Sequence, residues 1–217
     1  MVDSSIGGKT GINTDYGKNL VGAFYPPRKI IADLNFLVKL PEVEVKNGLA
    51  EMYKHALISN IDLVSELLVD PRTESCVYES AKIKIEIIEK DPLEKNERKY
   101  LNIGHTIAHA IEKDSNYSVQ HGAAVAIGTA IESHLGFELG LISDQNQRII
   151  IDGLTSLKLP TTYKIKDLKI FAESLKSDKK NQSEKITFSL VIEPGKKVVV
   201  TELDLAKVLD FLSTNYV

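Results

Sequence analysis

The sequence has little of several features that would point to particular protein classes. It contains a single cysteine, Cys76, which excludes an intrachain disulfide and fits a reducing compartment, so we expect a cytoplasmic protein. Its longest apolar run, GAAVAIGTAI, is too short to span a bilayer, so we expect neither a transmembrane helix nor a signal peptide and no membrane partner. A net charge of -3 gives no whole-chain reason to expect nucleic acid, and any anion site must therefore be a local cluster.

What is present indicates a globular protein. The chain has 217 residues, of which 43% are hydrophobic and 26% charged, enough for one large domain or two small ones. The first 28 residues carry five glycines and two prolines, a composition typical of a loop, and KIIADL follows as a short predicted strand. We therefore expect residues 1–40 to be a glycine-rich joining loop with a short strand, and residues 41–217 to form a mainly helical domain.

The apolar spacing after residue 40 predicts a series of helices. Pro41 opens the first one, and further helices are expected at 61–69, 74–89, 99–112, 121–139, 144–156, 167–176 and 204–214. The segment KITFSLVIEPGKKVVVTEL alternates on both sides of Pro194 and Gly195, as a hairpin does. The expected fold is mainly α with one small, late β-hairpin.

Three of the five histidines fall within a short window. His105 and His109 would share one face of a helix about one turn apart, and His121 stands just ahead of an apolar helix. A catalytic metal site needs about three protein ligands, so His105, His121 and one acid would be sufficient. The alternative is that these are ordinary polar or partly buried histidines.

The acid is best sought in the segment GLAEMYKHALI. There Glu51 and Lys54 lie three residues apart along the margin of the predicted buried stripe, which presents a carboxylate and an ammonium together. A solvated ion pair is the alternative. We interpret His55 and His134 as structural or exposed.

Two lysines occupy unusual positions. Lys84 lies on an apolar stripe of a predicted helix, although KIKIEIIE also alternates as a strand does, and the lysine needs either an anion or a path to water. Lys9 follows two glycines, so backbone amides and an ammonium can together hold an anion, but the segment lacks the first glycine of a P-loop. Alone, either position is compatible with an ordinary surface or loop lysine.

Several motifs in register carry a family resemblance, namely DSSIGGKTGIN, GKNLVGAFYPP, LPEVEVKNGLAEMYKHALI, NIGHTIAHAIE, HGAAVAIG and DKKN. In this order and spacing they resemble the 3-dehydroquinate synthase family from Asp3 to about Asn181. The resemblance implies a Rossmann-like NAD domain followed by a mainly helical metal and substrate domain. The chain resembles the second part plus the joining loop, so an N-terminal NAD-binding domain is expected as a missing partner, and a homodimer is implied.

The resemblance also implies roles for individual residues. Metal ligands would be Glu51, His105 and His121, for zinc or cobalt, and acid–base residues would be His109 and Glu94. Substrate contacts would be made by Asp3, Lys9, Asn19, Lys54, Lys84, Arg98, Asn102 and, of the two lysines in DKKN, Lys180. NAD contacts would be made by Lys18, Phe36, Leu37, Val38, Lys39 and Asn47.

The implied reaction converts 3-deoxy-D-arabino-heptulosonate 7-phosphate to 3-dehydroquinate and phosphate, a step of the shikimate pathway that uses NAD and a metal ion. Two alternatives remain: a related sugar-phosphate cyclase, and a truncated, non-catalytic metal-binding module. Ala108 and Asn96 stand where the family usually has glycine, and asparagine is among the residues that best tolerate a positive φ.

Overall fold

A computed structural model describes residues 1–14, 17–177 and 184–217. The strands are β1 (Lys9–Thr14), β2 (Gly17–Phe24), β3 (Lys185–Glu193) and β4 (Lys197–Asp204). The helices are α1 (Glu42–Ser59), α2 (Leu63–Val69), α3 (Glu74–Lys90), α4 (His105–Asp114), α5 (His121–Glu138), α6 (Asp144–Ser156), α7 (Leu168–Ser177) and α8 (Leu205–Tyr216). Two short 3-10 helices span Leu34–Leu37 and Glu97–Asn102.

The N-terminal segment differs from the prediction of a loop. β1 and β2 pair as an antiparallel hairpin in which Lys9 lies opposite Phe24 and Ile12 opposite Val21. The glycines that suggested a loop include Gly22, where a Cβ would lie 2.0 Å from the Thr10 carbonyl oxygen, so the strands approach too closely there for a side chain. The strand predicted in KIIADL is also wrong, because this segment is irregular until the 3-10 helix that begins at Leu34.

The remaining elements follow the prediction closely, with one informative exception. The helix expected over 99–112 is interrupted, because Gly104 adopts φ +76° and α4 begins only at His105. KIKIEIIE lies within α3, so the helical interpretation is confirmed. The late hairpin is also confirmed, with Gly195 in its turn at φ +75°.

The core is built around α5, which packs against α4, α1, α6 and β3. One apolar cluster includes Tyr53 and Leu57 of α1 and extends to α3 and α6, and a second joins α4, α5, α7, the late hairpin and α8. The first residues of α4 and α5, His105 and His121, lie beside Glu51 of α1. No helix among the described residues is long and apolar enough to cross a membrane.

Candidate metal centre and anion-binding residues

Three helices bring the predicted metal ligands together. Glu51 lies within α1, whereas His105 and His121 are the first residues of α4 and α5. The Glu51 Oε1 atom is 3.6 Å from His105 Nε2 and 3.5 Å from His121 Nε2. In a tetrahedral site with bonds of about 2.0–2.1 Å, neighbouring donor atoms are about 3.3–3.4 Å apart, so the spacing fits one shared ion.

The hydrogen bonding of these residues also fits a metal ion. Glu51 is only 5% exposed, and its buried Oε1 atom accepts no hydrogen bond. Buried carboxylate oxygens are rarely left without a hydrogen bond or a cation. The free position at Oε1 therefore indicates a binding site for a cation. His105 Nδ1 lies 3.0 Å from the Ile103 carbonyl oxygen, an arrangement that directs the lone pair of Nε2 toward Glu51. One carboxylate and two imidazoles suit zinc or cobalt.

The charges around the triad favour ionised Glu51 and neutral His105. Burial alone would raise the pKa of Glu51, but the hydrogen-bonded Lys54 ammonium and the two imidazoles hold that pKa well below its ordinary value. Burial, with the Lys54 charge, lowers the pKa of His105 to about 3. The flanking carboxylates of Glu112 and Glu51 raise the pKa of His121 to about 9, so a metal ion bound by this histidine would have to displace its proton.

Lys84 and Asp3 form an ion pair beside the triad. The Lys84 ammonium donates to Asp3 Oδ1 at 2.5 Å and to the Asp3 carbonyl oxygen at 2.8 Å, and Lys84 is only 8% exposed, so the snorkelling alternative is wrong. His55 is fully buried, with Nδ1 2.8 Å from Ser80 Oγ, which supports the structural interpretation of this histidine over the exposed one. Potential ligand atoms of Asp3, Glu51 and His55 lie within 4.8 Å of one another, so the ion pair adjoins the metal triad.

A second polar group joins three of the predicted residues. The Lys9 ammonium is paired with Glu94 Oε2, and Asn102 Nδ2 donates to Glu94 Oε1 at 2.8 Å. Glu94 has φ 58°, whereas Asn96 has φ −133°, so the left-handed backbone in this loop is at Glu94 and the tolerance of asparagine for positive φ is not used. The structure thus brings a candidate acid–base carboxylate into contact with two candidate substrate-binding residues.

Arg98 holds two loops together. Its guanidinium donates to the carbonyl oxygens of Pro92 at 2.6 Å and Gly7 at 2.8 Å, and the residue is 5% exposed. The Asp91 carboxylate accepts from the backbone amides of Lys95, Asn96 and Arg98, which shapes the same loop. Lys9, Glu94 and Arg98 line a cleft of about 630 Å³ whose other walls are mainly apolar. The cleft is large enough for a small substrate and carries both cationic and anionic groups on its walls.

The other predicted residues are less closely tied to the triad. His109 is exposed on α4, with its ring centroid 5.8 Å from that of His105. Phe36 and Val38 are mostly exposed, in and just after the 3-10 helix Leu34–Leu37; Leu37 between them is partly buried, and Lys39 follows. Asn47 lies on α1, one turn before Glu51. The side chains of Lys18 and Asn19 and the whole of Lys180 lie outside the described residues.

The sequence interpretation missed two buried carboxylates that contact the ligand-bearing segments. Glu112 Oε1 is 3.5 Å from His121 Nδ1. Glu132 of α5 accepts from the Gly104 amide at 2.8 Å and the Ile107 amide at 3.3 Å, at the N-terminus of the helix that carries His105. One signal for Glu112 was available, because it follows His105 by two helical turns and so lies on the same face of α4.

Comparison with known proteins identifies relatives over up to 98% of the chain. Residues 48–181 match the family described as 3-dehydroquinate synthase C-terminal, and residues 1–47 match 3-dehydroquinate synthase N-terminal. The 3-dehydroquinate synthase of Campylobacter concisus is 38% identical over 98% of this chain and 63% of its own length. That of Thermococcus kodakarensis is 40% identical over 95% of this chain and 59% of its own length. The chain thus spans about 60% of these relatives.

Solved structures share the fold. A 2-deoxy-scyllo-inosose synthase complexed with carbaglucose-6-phosphate, NAD+ and Co2+ has a TM-score of 0.84 at 24% identity, covering 96% of this chain and 62% of that one. A Streptomyces hygroscopicus 2-epi-5-epi-valiolone synthase with NAD+ and Zn2+ bound has a TM-score of 0.83 at 24% identity, and the match covers 98% of this chain and 62% of that one. Because the family models together match residues 1–181, the chain belongs to the 3-dehydroquinate synthase family.

Proposed function

We propose that the chain is the metal- and substrate-binding part of a 3-dehydroquinate synthase. In that role it takes part in the NAD- and metal-dependent conversion of 3-deoxy-D-arabino-heptulosonate 7-phosphate to 3-dehydroquinate and phosphate. The observation that carries this proposal is the buried, unsatisfied Oε1 of Glu51, about 3.5 Å from the Nε2 atom of His121 and close to that of His105. The reaction and the substrate are proposed from membership of the family.

The cations around the centre suit a substrate with two anionic ends. Lys84 and Lys54 lie beside the metal triad, and Lys9 lies on the cleft wall with Glu94. Ammonium groups placed at two points can fix a carboxylate and a phosphate and so orient the ring carbons between them. Asp3 pairs with Lys84, Glu51 with Lys54 and Glu94 with Lys9, and an incoming anion would compete with these carboxylates for the ammonium protons.

The acid–base work falls to His109 and Glu94. Glu94 is held by Lys9 and Asn102, and His109 stands on the exposed side of α4 one turn from the ligand His105. We assign these two groups to accepting and returning protons of the substrate. When bound, NAD accepts and returns a hydride, and zinc or cobalt polarises the oxygen atoms it coordinates.

The whole activity needs further polypeptide and can be tested by supplying it. We propose that the chain works with an N-terminal NAD-binding domain, as a homodimer and in the cytoplasm, where buried Cys76 stays reduced. The chain would be joined to the N-terminal NAD-binding part of the Campylobacter concisus enzyme and supplied with NAD, zinc and the heptulosonate phosphate. Release of inorganic phosphate together with formation of 3-dehydroquinate is the expected result.

A matched pair of variants makes this experiment specific. Glu51→Gln should abolish turnover, whereas Glu86→Gln, on an exposed position of α3, should leave it unchanged. Zinc bound without any turnover of the fusion would favour the truncated metal-binding module. Turnover that persists in Glu51→Gln would remove the triad from the mechanism.

A related sugar-phosphate cyclase is the second candidate, since the fold matches 2-deoxy-scyllo-inosose synthase at a TM-score of 0.84. The identity of 38–40% with 3-dehydroquinate synthases, against 24% with this structure, favours the first. Competition separates the two candidates, because carbaglucose-6-phosphate, the ligand of that solved structure, should not slow phosphate release from the heptulosonate phosphate. Inhibition of this phosphate release by carbaglucose-6-phosphate would favour the second candidate.

A further inference from the structure

The His121 imidazole lies between two carboxylates. Its Nε2 atom is 3.5 Å from Glu51 Oε1, and its Nδ1 atom is 3.5 Å from Glu112 Oε1. The His121 side chain is 47% exposed, whereas the Glu112 side chain is 8% exposed. A half-exposed ring is therefore flanked by two buried anions, and only one of them belongs to the proposed metal triad.

A ligand histidine has to present one particular nitrogen. For Nε2 to bind a metal ion it must carry the lone pair, so the remaining proton belongs on Nδ1 and needs an acceptor. His105 has such an acceptor in the Ile103 carbonyl oxygen, 3.0 Å from its Nδ1. On His121 the corresponding place is taken by Glu112, whose negative charge holds an N–H more strongly than a carbonyl does.

We propose that Glu112 is a positioning residue of the metal centre: its carboxylate holds Nδ1–H of His121, so that Nε2 faces Glu51 and the ion. This inference rests on the proposed metal site. It also gives α4 two tasks, because the helix supplies His105 as a ligand and, two turns later, the group that aims the other histidine.

The burial of Glu112 supports this role. At 6% exposure its carboxylate cannot rotate away into solvent as a surface glutamate does, so its direction is set by the packing of α4. His121 begins α5, where no preceding helical turn restricts its ring. An outer partner is thus most useful at His121, and loss of such partners typically weakens metal binding about 10–100-fold.

The test measures zinc affinity of the chain by competition with a chromophoric chelator. Glu112→Gln should bind zinc about 10–100-fold more weakly than the unmodified chain, while Glu86→Gln should not change the affinity. The visible absorption of the Co2+-loaded chain should shift in position or intensity in Glu112→Gln alone, because the geometry around the ion changes. Neither readout depends on NAD or on turnover.

A double-mutant cycle with His121→Ala separates positioning from a general effect of charge. If Glu112 acts through His121, Glu112→Gln should cost no further zinc affinity once His121 is removed. Equal losses with and without His121 would overturn the proposal, as would unchanged affinity and Co2+ absorption in Glu112→Gln. Failure of the unmodified chain to bind zinc would instead contradict the proposed metal site itself. If Glu112→Gln also lowers the unfolding temperature, the cycle still tests the proposal, because a general loss of stability would weaken zinc binding equally with and without His121.

Discussion

Asn47 and Gly122 fasten α1 to the N-terminus of α5. The Gly122 amide donates to Asn47 Oδ1 at 3.1 Å, and a Cβ on Gly122 would approach Asn47 Cα to 2.4 Å. Asn47 Nδ2 also donates to Gln120 Oε1 at 2.8 Å. Because Glu51 follows Asn47 by one turn and His121 adjoins Gly122, this contact sets the separation of two proposed metal ligands.

Gly122→Ala should therefore damage both stability and the metal centre. The added methyl group has no space, and overpacking of this kind typically costs about 1–3 kcal/mol. We expect a lower free energy of unfolding in urea and weaker zinc binding. Gly48→Ala is the matched control, since no atom lies within 4 Å of its added Cβ. It should stabilise α1 by about 0.5–1 kcal/mol, and equal effects of the two substitutions would contradict the packing argument.

Glu51→Gln should remove tight zinc binding while the fold is retained. The amide is close in size to the carboxylate but carries no charge to bind the ion. Removing an outer partner typically weakens metal binding about 10–100-fold, and the loss of zinc affinity in Glu51→Gln should be larger. Zinc content after dialysis and circular dichroism check the two parts of this prediction. Zinc bound at one ion per chain in the variant would remove Glu51 from the ligand set.

The Asp3 and Lys84 pair should show thermodynamic coupling. Lys84 is nearly buried and donates twice to Asp3, so either single change leaves a charge without its partner. In a cycle of Asp3→Asn and Lys84→Met, we expect a coupling of about 0.5–3 kcal/mol in the free energy of unfolding. A coupling indistinguishable from zero would show that the pair is only a surface contact. The Lys82–Glu79 pair of α3, at 3.9 Å and more exposed, provides a comparison.

Asp91 should contribute stability that depends on pH. Burial would raise its pKa, but the backbone amides of Asn96, Lys95 and Arg98 together hold the pKa below its ordinary value of 3.8. A depressed pKa means that the contribution is present above pH 3.8 and is lost as the pH falls through the lower, folded-state value. The difference in unfolding temperature between the unmodified chain and Asp91→Asn should therefore be large at pH 6 and shrink toward pH 2. A difference that grows on acidification would contradict this sign.

Periodicity predicted the helices because their apolar stripes are long and regular. Glycine-rich composition was misleading at the β1 and β2 hairpin, where glycines such as Gly22 allow two strands to approach closely. Periodicity failed at Gly104, because nothing in the local sequence shows that this residue packs against Thr129 and separates the 3-10 helix from α4. Contacts between segments distant in sequence decide both cases.

The candidate site also combines residues that the sequence predicted with contacts that it did not. Histidine spacing and the family motifs predicted Glu51, His105 and His121, and the structure places their ligand atoms within 4.8 Å of one another. The same motifs assign Arg98 to the substrate, which stays a prediction, but they gave no sign that its guanidinium also donates to the carbonyl oxygens of Gly7 and Pro92. Motifs identify the residue types that the chemistry requires, but they do not show which residues each side chain contacts in the folded protein.

The origin of the ligands on three helices has a consequence for folding. An unfolded chain cannot gather Glu51, His105 and His121, because long stretches of polypeptide separate them, so an ion that binds all three binds the native state alone. At a free ion concentration of about 100 times Kd, such binding adds about 2.7 kcal/mol to the free energy of unfolding. Heat resistance of the chain then varies with the supply of metal, and a chelator lowers the melting temperature without altering a single residue.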